Sequence, residues 1–137
     1  VENMKIYVSK NDEIYKEEVK NKGWRDDVYV FINNKYYKIF IYEKIRFIQD
    51  YDESISSMQA YVPEPNTIFV ESVTNECIVK TIKICSDEDY FEYLKPCEVN
   101  EVNELTYEFS EKYVSFLKKN KLLDYIKIKN LIPIYSD

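Results

Sequence analysis

The sequence predicts an α+β fold: a single domain over residues 1–137, with a mainly antiparallel sheet that includes a central hairpin, and three to five helices packed on one side of it. Three observations lead there. The spacing of apolar residues switches repeatedly between a period of two and a period near 3.6. Two alternating runs are separated by little more than Asn33-Asn34, a pair that accepts the positive φ angles of a tight hairpin turn. Finally, 137 residues with 45% apolar and 32% charged side chains, and with no internal repeat or linker, have the size and balance of one hydrophobic core.

The elements follow in order. Met4, Ile6 and Val8 alternate as a first strand. Asn11 or Asp12 can cap a helix over Glu13 to Lys20, and Gly23 stands where a helix ends, because glycine enters the left-handed region without a Cβ clash. Val28 to Ile32 and Tyr36 to Tyr42 form the hairpin arms. From Glu43 the period changes: Ile41, Ile45, Ile48 and Ile55 recur at helical spacing, so a second helix runs towards Met58. Pro63 and Pro65 break it, Thr67 to Ser72 resumes strand composition, and Thr74 caps a third helix with Ile78, Ile82 and Cys85 on its buried line. Ser86-Asp87 can recap a further turn carrying Tyr90, Phe91 and Leu94, ended by Pro96. Leu105, Phe109, Tyr113, Phe116 and Leu117 give another helical stripe. Beyond it, the tail from Lys121 to Asp137 is ambiguous: Tyr125 to Lys129 alternates like a strand while Leu122 and Leu123 suit a helix, and both readings stay open.

Composition removes several function classes. The chain has no His, hence no Ser-His-Asp or Cys-His relay and no His-ligated zinc. One Gly leaves no material for a phosphate-cradling loop. Cys77, Cys85 and Cys97 are odd in number and lack CxxC spacing, which points to a reducing cytosol and not to a disulfide framework or thiolate metal cage. No window reaches the ~18 apolar residues of a membrane span and no secretory leader opens the sequence, so a cytoplasmic chain is expected. The net charge of -6 is unevenly spread. From Asp50 to Glu111 there are 15 acidic residues against Lys80, Lys83 and Lys95, a field that draws cationic partners and repels nucleic-acid phosphates.

Carboxylates are the one plentiful reactive group. Asp50, Asp52 and Glu53, and the run Asp87-Glu-Asp89, lie too close together in sequence to converge on one point of a helix, and neither fits the calcium loop. Asp12 with Glu18-Val-Lys20 has the residue types of a metal-dependent nuclease, yet all of them fall in or at the cap of one helix. No catalytic residue, metal or cofactor is therefore assigned. Fourteen Tyr against seven Phe suit a recognition surface, since tyrosine offers a large contact area with few torsions to freeze. In the hairpin, Tyr29 and Phe31 share one face and Val28, Val30 and Ile32 the other. The aromatic face then either meets solvent or a partner, or is covered by helices.

Five segments carry a resemblance: Lys22-Gly-Trp-Arg-Asp-Asp-Val-Tyr-Val-Phe-Ile32, its partner Tyr36 to Tyr42, Ile45-Arg-Phe-Ile-Gln-Asp-Tyr51, Pro65-Asn-Thr-Ile-Phe-Val70 and Asp89-Tyr-Phe-Glu-Tyr-Leu-Lys-Pro96. Over residues 4 to 96 the chain resembles the small cytosolic immunity proteins encoded beside contact-dependent or polymorphic bacterial toxins. The resemblance implies a protein that neutralises a cognate secreted toxin by stoichiometric binding, with no reaction of its own. A basic nuclease domain is the kind of toxin that the acidic charge would suit. The expected contacts are Asp50, Asp52 and Glu53, and Asp87, Glu88, Asp89, Tyr90 and Glu92. An adaptor or regulatory subunit would share these features, and a carboxylate-dependent hydrolase is the rival enzymatic reading.

Overall fold

The computed structural model describes residues 3–61, 63–97 and 131–137. The helical stripe expected at Leu105 to Leu117 lies outside them, as does the ambiguous tail from Lys121 as far as residue 130. The described elements are β1 (Lys5–Val8), α1 (Glu13–Lys22), β2 (Trp24–Ile32), β3 (Lys35–Glu43), α2 (Lys44–Ser56), β4 (Thr67–Val70), α3 (Asn75–Asp87), a 3-10 turn (Tyr90–Tyr93) and β5 (Ile132–Ser136). The result is a small single-domain α+β fold in which the five strands among the described residues run in the order β4-β3-β2-β1-β5. Three of the four pairings are antiparallel, and β4 joins β3 in parallel.

The local signals act as chemistry requires. Asp12 is the cap of α1, its Oδ1 accepting from the Tyr15 N–H at 2.8 Å. Gly23 ends that helix at φ 84° and donates its N–H to the Val19 carbonyl. Asn33 and Asn34, at φ 55° and 60°, make the mirror-image turn that matches strand twist. Glu43 caps α2 through both carboxylate oxygens, which accept from the Ile45 and Arg46 amides. Thr74 caps α3, its hydroxyl accepting from the Cys77 N–H. Ser86 and Asp87 start no new helix. They still belong to α3, which ends at Glu88; Asp89 at φ 57° then turns the chain into the 3-10 segment without a side-chain cap.

β2 is longer than the alternation suggested because it contains a bulge. Arg25 pairs with Ile41 and Val28 with Ile39, so the two residues Asp26 and Asp27 oppose the single Phe40. Without the extra residue, Arg25 and Val28, three apart, would face opposite sides. With it, both face the core.

That core lies on one face of the sheet. Ile6, Val8, Val28, Val30, Ile39, Ile41, Ile68 and Val70 meet Val19 of α1 and Ile78 and Ile82 of α3. Cys77 and Cys85 pack half-buried at its margin as small apolar groups. Phe91 of the 3-10 turn closes the same face edge-on against Tyr37, ring centres 5.2 Å apart. The helices are not all on one side, however. α2 lies over the opposite, aromatic face, with Phe47 seated on Phe69 and Tyr42. The reason is the parallel pairing: a crossover from β3 to a parallel β4 must pass over one face, and the other was already occupied by α1 and α3.

β5 was not legible as a strand. Ile132 to Ser136 pairs with β1 at the far edge, where Pro133 does not interrupt an interior ladder. Met4 and Asp137 fasten this edge: the Met4 N–H donates to Asp137 Oδ2 at 2.9 Å and the Asp137 N–H donates back to the Met4 carbonyl at 3.0 Å.

Candidate functional site

Two regions received the expected contacts, and the structure places them apart. Asp50, Asp52 and Glu53 lie on α2 above the aromatic face, while Asp87, Glu88, Asp89, Tyr90 and Glu92 lie at the end of α3 and in the 3-10 turn, under the opposite face. The sheet separates the two groups.

Within the first group Asp50 differs from its neighbours. It accepts a hydrogen bond from the Tyr42 hydroxyl and pairs with Arg46 Nε at 3.3 Å. Burial, and then the bond to Asp50, push the Tyr42 hydroxyl pKa above its ordinary range. Asp50 thus ties α2 to the sheet, and Asp52 and Glu53 stand exposed beside it. In the second group Asp87, Glu88, Asp89 and Glu92 are all exposed, and no ion pair engages them among the described residues. Burial of the Cys85 thiol and the nearby Glu88 charge raise that thiol's pKa, so it is a poor nucleophile at neutral pH.

The feature that sequence reasoning missed is apolar. The isoleucines whose spacing announces α2 are not its buried line. Ile45, Ile48 and Ile55 are 63%, 49% and 52% exposed, and none of the helix residues is fully buried. Contact with the sheet is made instead by Phe47, whose ring lies 4.7 Å from Phe69, 5.4 Å from Tyr61 and 5.5 Å from Tyr42. Tyr51 extends this group, 5.9 Å from Tyr61. Arg46 leans back over Gly23 at the start of β2, so the flank of α2 on the other side of Phe47, bearing Ile48, Tyr51 and Ile55, faces the outer side of β4. Phe69 of that strand is itself 45% exposed, and Met58 beyond the helix is 96% exposed. The signal available in the sequence was the width of the apolar arc. A helix with Phe47 and Tyr51 in addition to three isoleucines carries more apolar surface than one sheet contact uses.

From Asp50 to Glu71 the sequence has five acidic residues, Asp50, Asp52, Glu53, Glu64 and Glu71, and no Lys or Arg. In space the charges are mixed: Arg46 pairs with Asp50, Glu64 shares a cavity with Lys38 and Lys95, and Glu71 shares a hollow with Lys20 and Arg46, so Asp52 and Glu53 are the exposed acids of α2.

Elsewhere a cavity of about 550 Å³ lies between Trp24, Phe40, Lys38 and the Pro65 and Pro96 loops. Trp24 and Phe40 stack at 5.4 Å, and Lys22 sits 3.4 Å over the Trp24 ring, which occupies the aromatic faces with protein groups. Asn66 holds the loops together, bonding to main-chain groups of Lys38 and Lys95. Among the described residues no group of three acidic or cysteine side chains is placed to hold a metal, and no helix is long and apolar enough to cross a membrane. Compared with family models, curated proteins and solved structures, the chain matches none.

Proposed function

We propose that this protein acts by occupying the surface of another protein, and that it is an immunity protein which binds a cognate secreted bacterial toxin stoichiometrically in the cytoplasm. One observation carries the reading: apolar side chains on α2 and β4, with Ile48, Tyr51, Ile55 and Phe69 each about half exposed and the exposed acids Asp52 and Glu53 on the same helix. Isolated exposed apolar residues are ordinary, but several on one helix and the strand beside it, with polar residues around them, have the anatomy of a contact surface. Covering the exposed half of each large side chain is worth on the order of 1 kcal/mol. The net charge of -6 speeds encounter with a basic target, such as a nuclease domain, and disfavours partners of the same sign.

The test is protection. The C-terminal domain of a large secreted protein encoded next to this gene is expressed in a bacterial host with and without this chain. Survival with the chain, a one-to-one complex on gel filtration, and loss of both in Ile48→Glu/Ile55→Glu support the reading. A substrate turned over by the pure, partner-free chain, with that activity removed by a single substitution at Asp50 or Asp89, overturns it.

A further inference from the structure

We infer that the aromatic face of β1, β2 and β3 is an internal docking surface, taken by the chain's own residues 98–130, whose apolar stripe from Leu105 to Leu117 packs on Tyr7, Tyr29, Phe31 and Tyr36. This goes beyond the binding reading and holds with or without it, since it takes the tyrosine-rich face away from any partner and leaves the α2 surface as it is.

Tyr29 alternates along β2 with the core residues Val28 and Val30, so its side chain points to the opposite face, and yet it is only 2% exposed. Its neighbours in register on that face, Tyr7 and Lys38, stand beside it in one layer and shield its flanks, not its outer surface. Phe31 and Tyr36, 4.7 Å apart, and Tyr7, 6.3 Å from Tyr36, continue this layer and are half-buried. Burial also raises the hydroxyl pKa of Tyr7 and Tyr36. The described elements on this face stand to one side of Tyr29: α2 lies over Tyr42 and Phe69, and the Pro65 and Pro96 loops lie beside Lys38 and Phe40. The burial of Tyr29 is reached within a single chain, so the layer over it comes from the rest of that chain.

The ends of the segment select the same face. The Cys97 N–H donates to the Tyr36 carbonyl at 2.7 Å, so residue 98 sets out from β3 near the hairpin turn. Ile132 pairs with Val8, so the chain returns at the opposite edge of the sheet. From Tyr36, level with Phe31 and Lys5, to Ile132, level with Val8, is a diagonal of about 17 Å: about 14 Å across the strands and about 10 Å along them. The core face between these points is filled by Val19 of α1, Ile78 and Ile82 of α3 and Phe91, which leaves the aromatic face for the crossing. A helix over Leu105 to Leu117 would be about 20 Å long, which matches the diagonal. Leu105, Phe109, Tyr113 and Phe116 fall on one side of such a helix and Glu104, Glu111 and Lys118 on the other, so it has an apolar side for the rings and a charged side for water.

The test uses the full chain. In isotope-labelled protein, nuclear Overhauser contacts are expected between the Tyr29 ring and the side chains of Phe109 or Tyr113, and they should vanish in a mixed sample of labelled and unlabelled chains filtered for contacts between molecules. Nitration of tyrosine by tetranitromethane, located by peptide mass, gives a second readout. Tyr29 should resist it in the native chain and react at least about tenfold faster in Phe109→Glu/Phe116→Glu, because the layer over it is displaced. Tyr37, buried on the core face under Phe91, should stay resistant in both, which separates displacement of the segment from loss of the fold. Should Tyr37 react as well, the contacts in the unaltered chain decide. Absence of any contact between Tyr29 and residues 98–130, contacts found only between molecules, or resistance of Tyr29 undiminished by the double substitution overturns the inference. None of these results touches the α2 surface, so the binding reading stands or falls separately.

Discussion

Arg25 and Asp27, two residues apart on β2, form a two-pronged ion pair inside the domain, with Arg25 Nε 2.6 Å from Asp27 Oδ1 and Arg25 Nη2 2.8 Å from Oδ2. Their side chains are 1% and 9% exposed. The remaining capacity is used as well: Arg25 also donates to the Lys10 carbonyl, and Asp27 Oδ2 accepts from the Ser9 amide and hydroxyl. The bulge at Asp26–Asp27 makes this geometry, and the pair joins the end of β1 to β2 beneath α1.

Removing one partner leaves the other charged and buried. Arg25→Met and Asp27→Leu are each expected to cost about 3–5 kcal/mol in urea denaturation, whereas the double replacement should cost less than either alone. A double variant as unstable as the sum of the singles would show that the pair does more than compensate its own burial.

The same pair sets an acid dependence. Burial raises the Asp27 carboxyl pKa, but the hydrogen bonds and charge of Arg25, with those of Ser9, outweigh it and hold the group below the ordinary 3.8. As pH falls, the unfolded chain takes up this proton first, so the contribution is complete above 3.8 and is lost as pH drops through the lower folded value. The stability gap between the native chain and Asp27→Asn should therefore be flat at neutral pH and narrow only below pH 3.8, measured by denaturation at a series of acid pH values.

Gly23 is constrained twice. Its φ of 84° disfavours any side chain, and a Cβ there would lie 2.8 Å from Arg46 Cγ. Gly23→Ala should cost at least about 1–2 kcal/mol from the backbone alone. It should also displace Arg46 from Asp50, seen as a lower thermal midpoint and shifted α2 resonances.

The hairpin turn can be improved. Asn34 is held at φ 60°, a region glycine enters freely, and Asn-Gly is the preferred pair for this turn. Asn34→Gly should stabilise the chain by about 0.5 kcal/mol in thermal unfolding, without effect on partner binding.

The acidic run at the end of α3 lies on the other side of the sheet from the α2 patch. If it shares in steering, Asp87→Lys/Asp89→Lys should slow association with the proposed toxin partner and flatten its salt dependence in stopped-flow measurements. An unchanged rate and salt slope would remove that group from the interface.

Much of the fold was legible because its signals are local. Asp12, Thr74, Gly23 and Asn33-Asn34 each act on groups within four residues, and the hairpin alternation needs no tertiary information. What could not be read depends on distant contacts. The parallel entry of β4 sends α2 to the aromatic face, and that reverses the significance of its isoleucines from core to surface. Asp50, expected among the partner contacts, accepts a hydrogen bond from Tyr42, a strand residue eight positions earlier, and that tie is not visible in the sequence. Two aspartates in the middle of an apolar strand, Asp26 and Asp27, were the available hint of a bulge, but a buried arginine partner on the same strand is visible only in three dimensions. The aromatic face proved mixed: Tyr29 is buried while Phe31 and Tyr36, 4.7 Å apart, are half-buried.

The strand at the β1 edge joins positions very remote along the polymer, since Met4 bonds to Asp137 across 133 residues. Bringing such distant points together carries a large loop-closure entropy before any contact rewards it. This zipper is accordingly expected to shut late during refolding and to fray early during unfolding, which makes its amides the first to lose protection in native-state hydrogen exchange while the hairpin keeps its own.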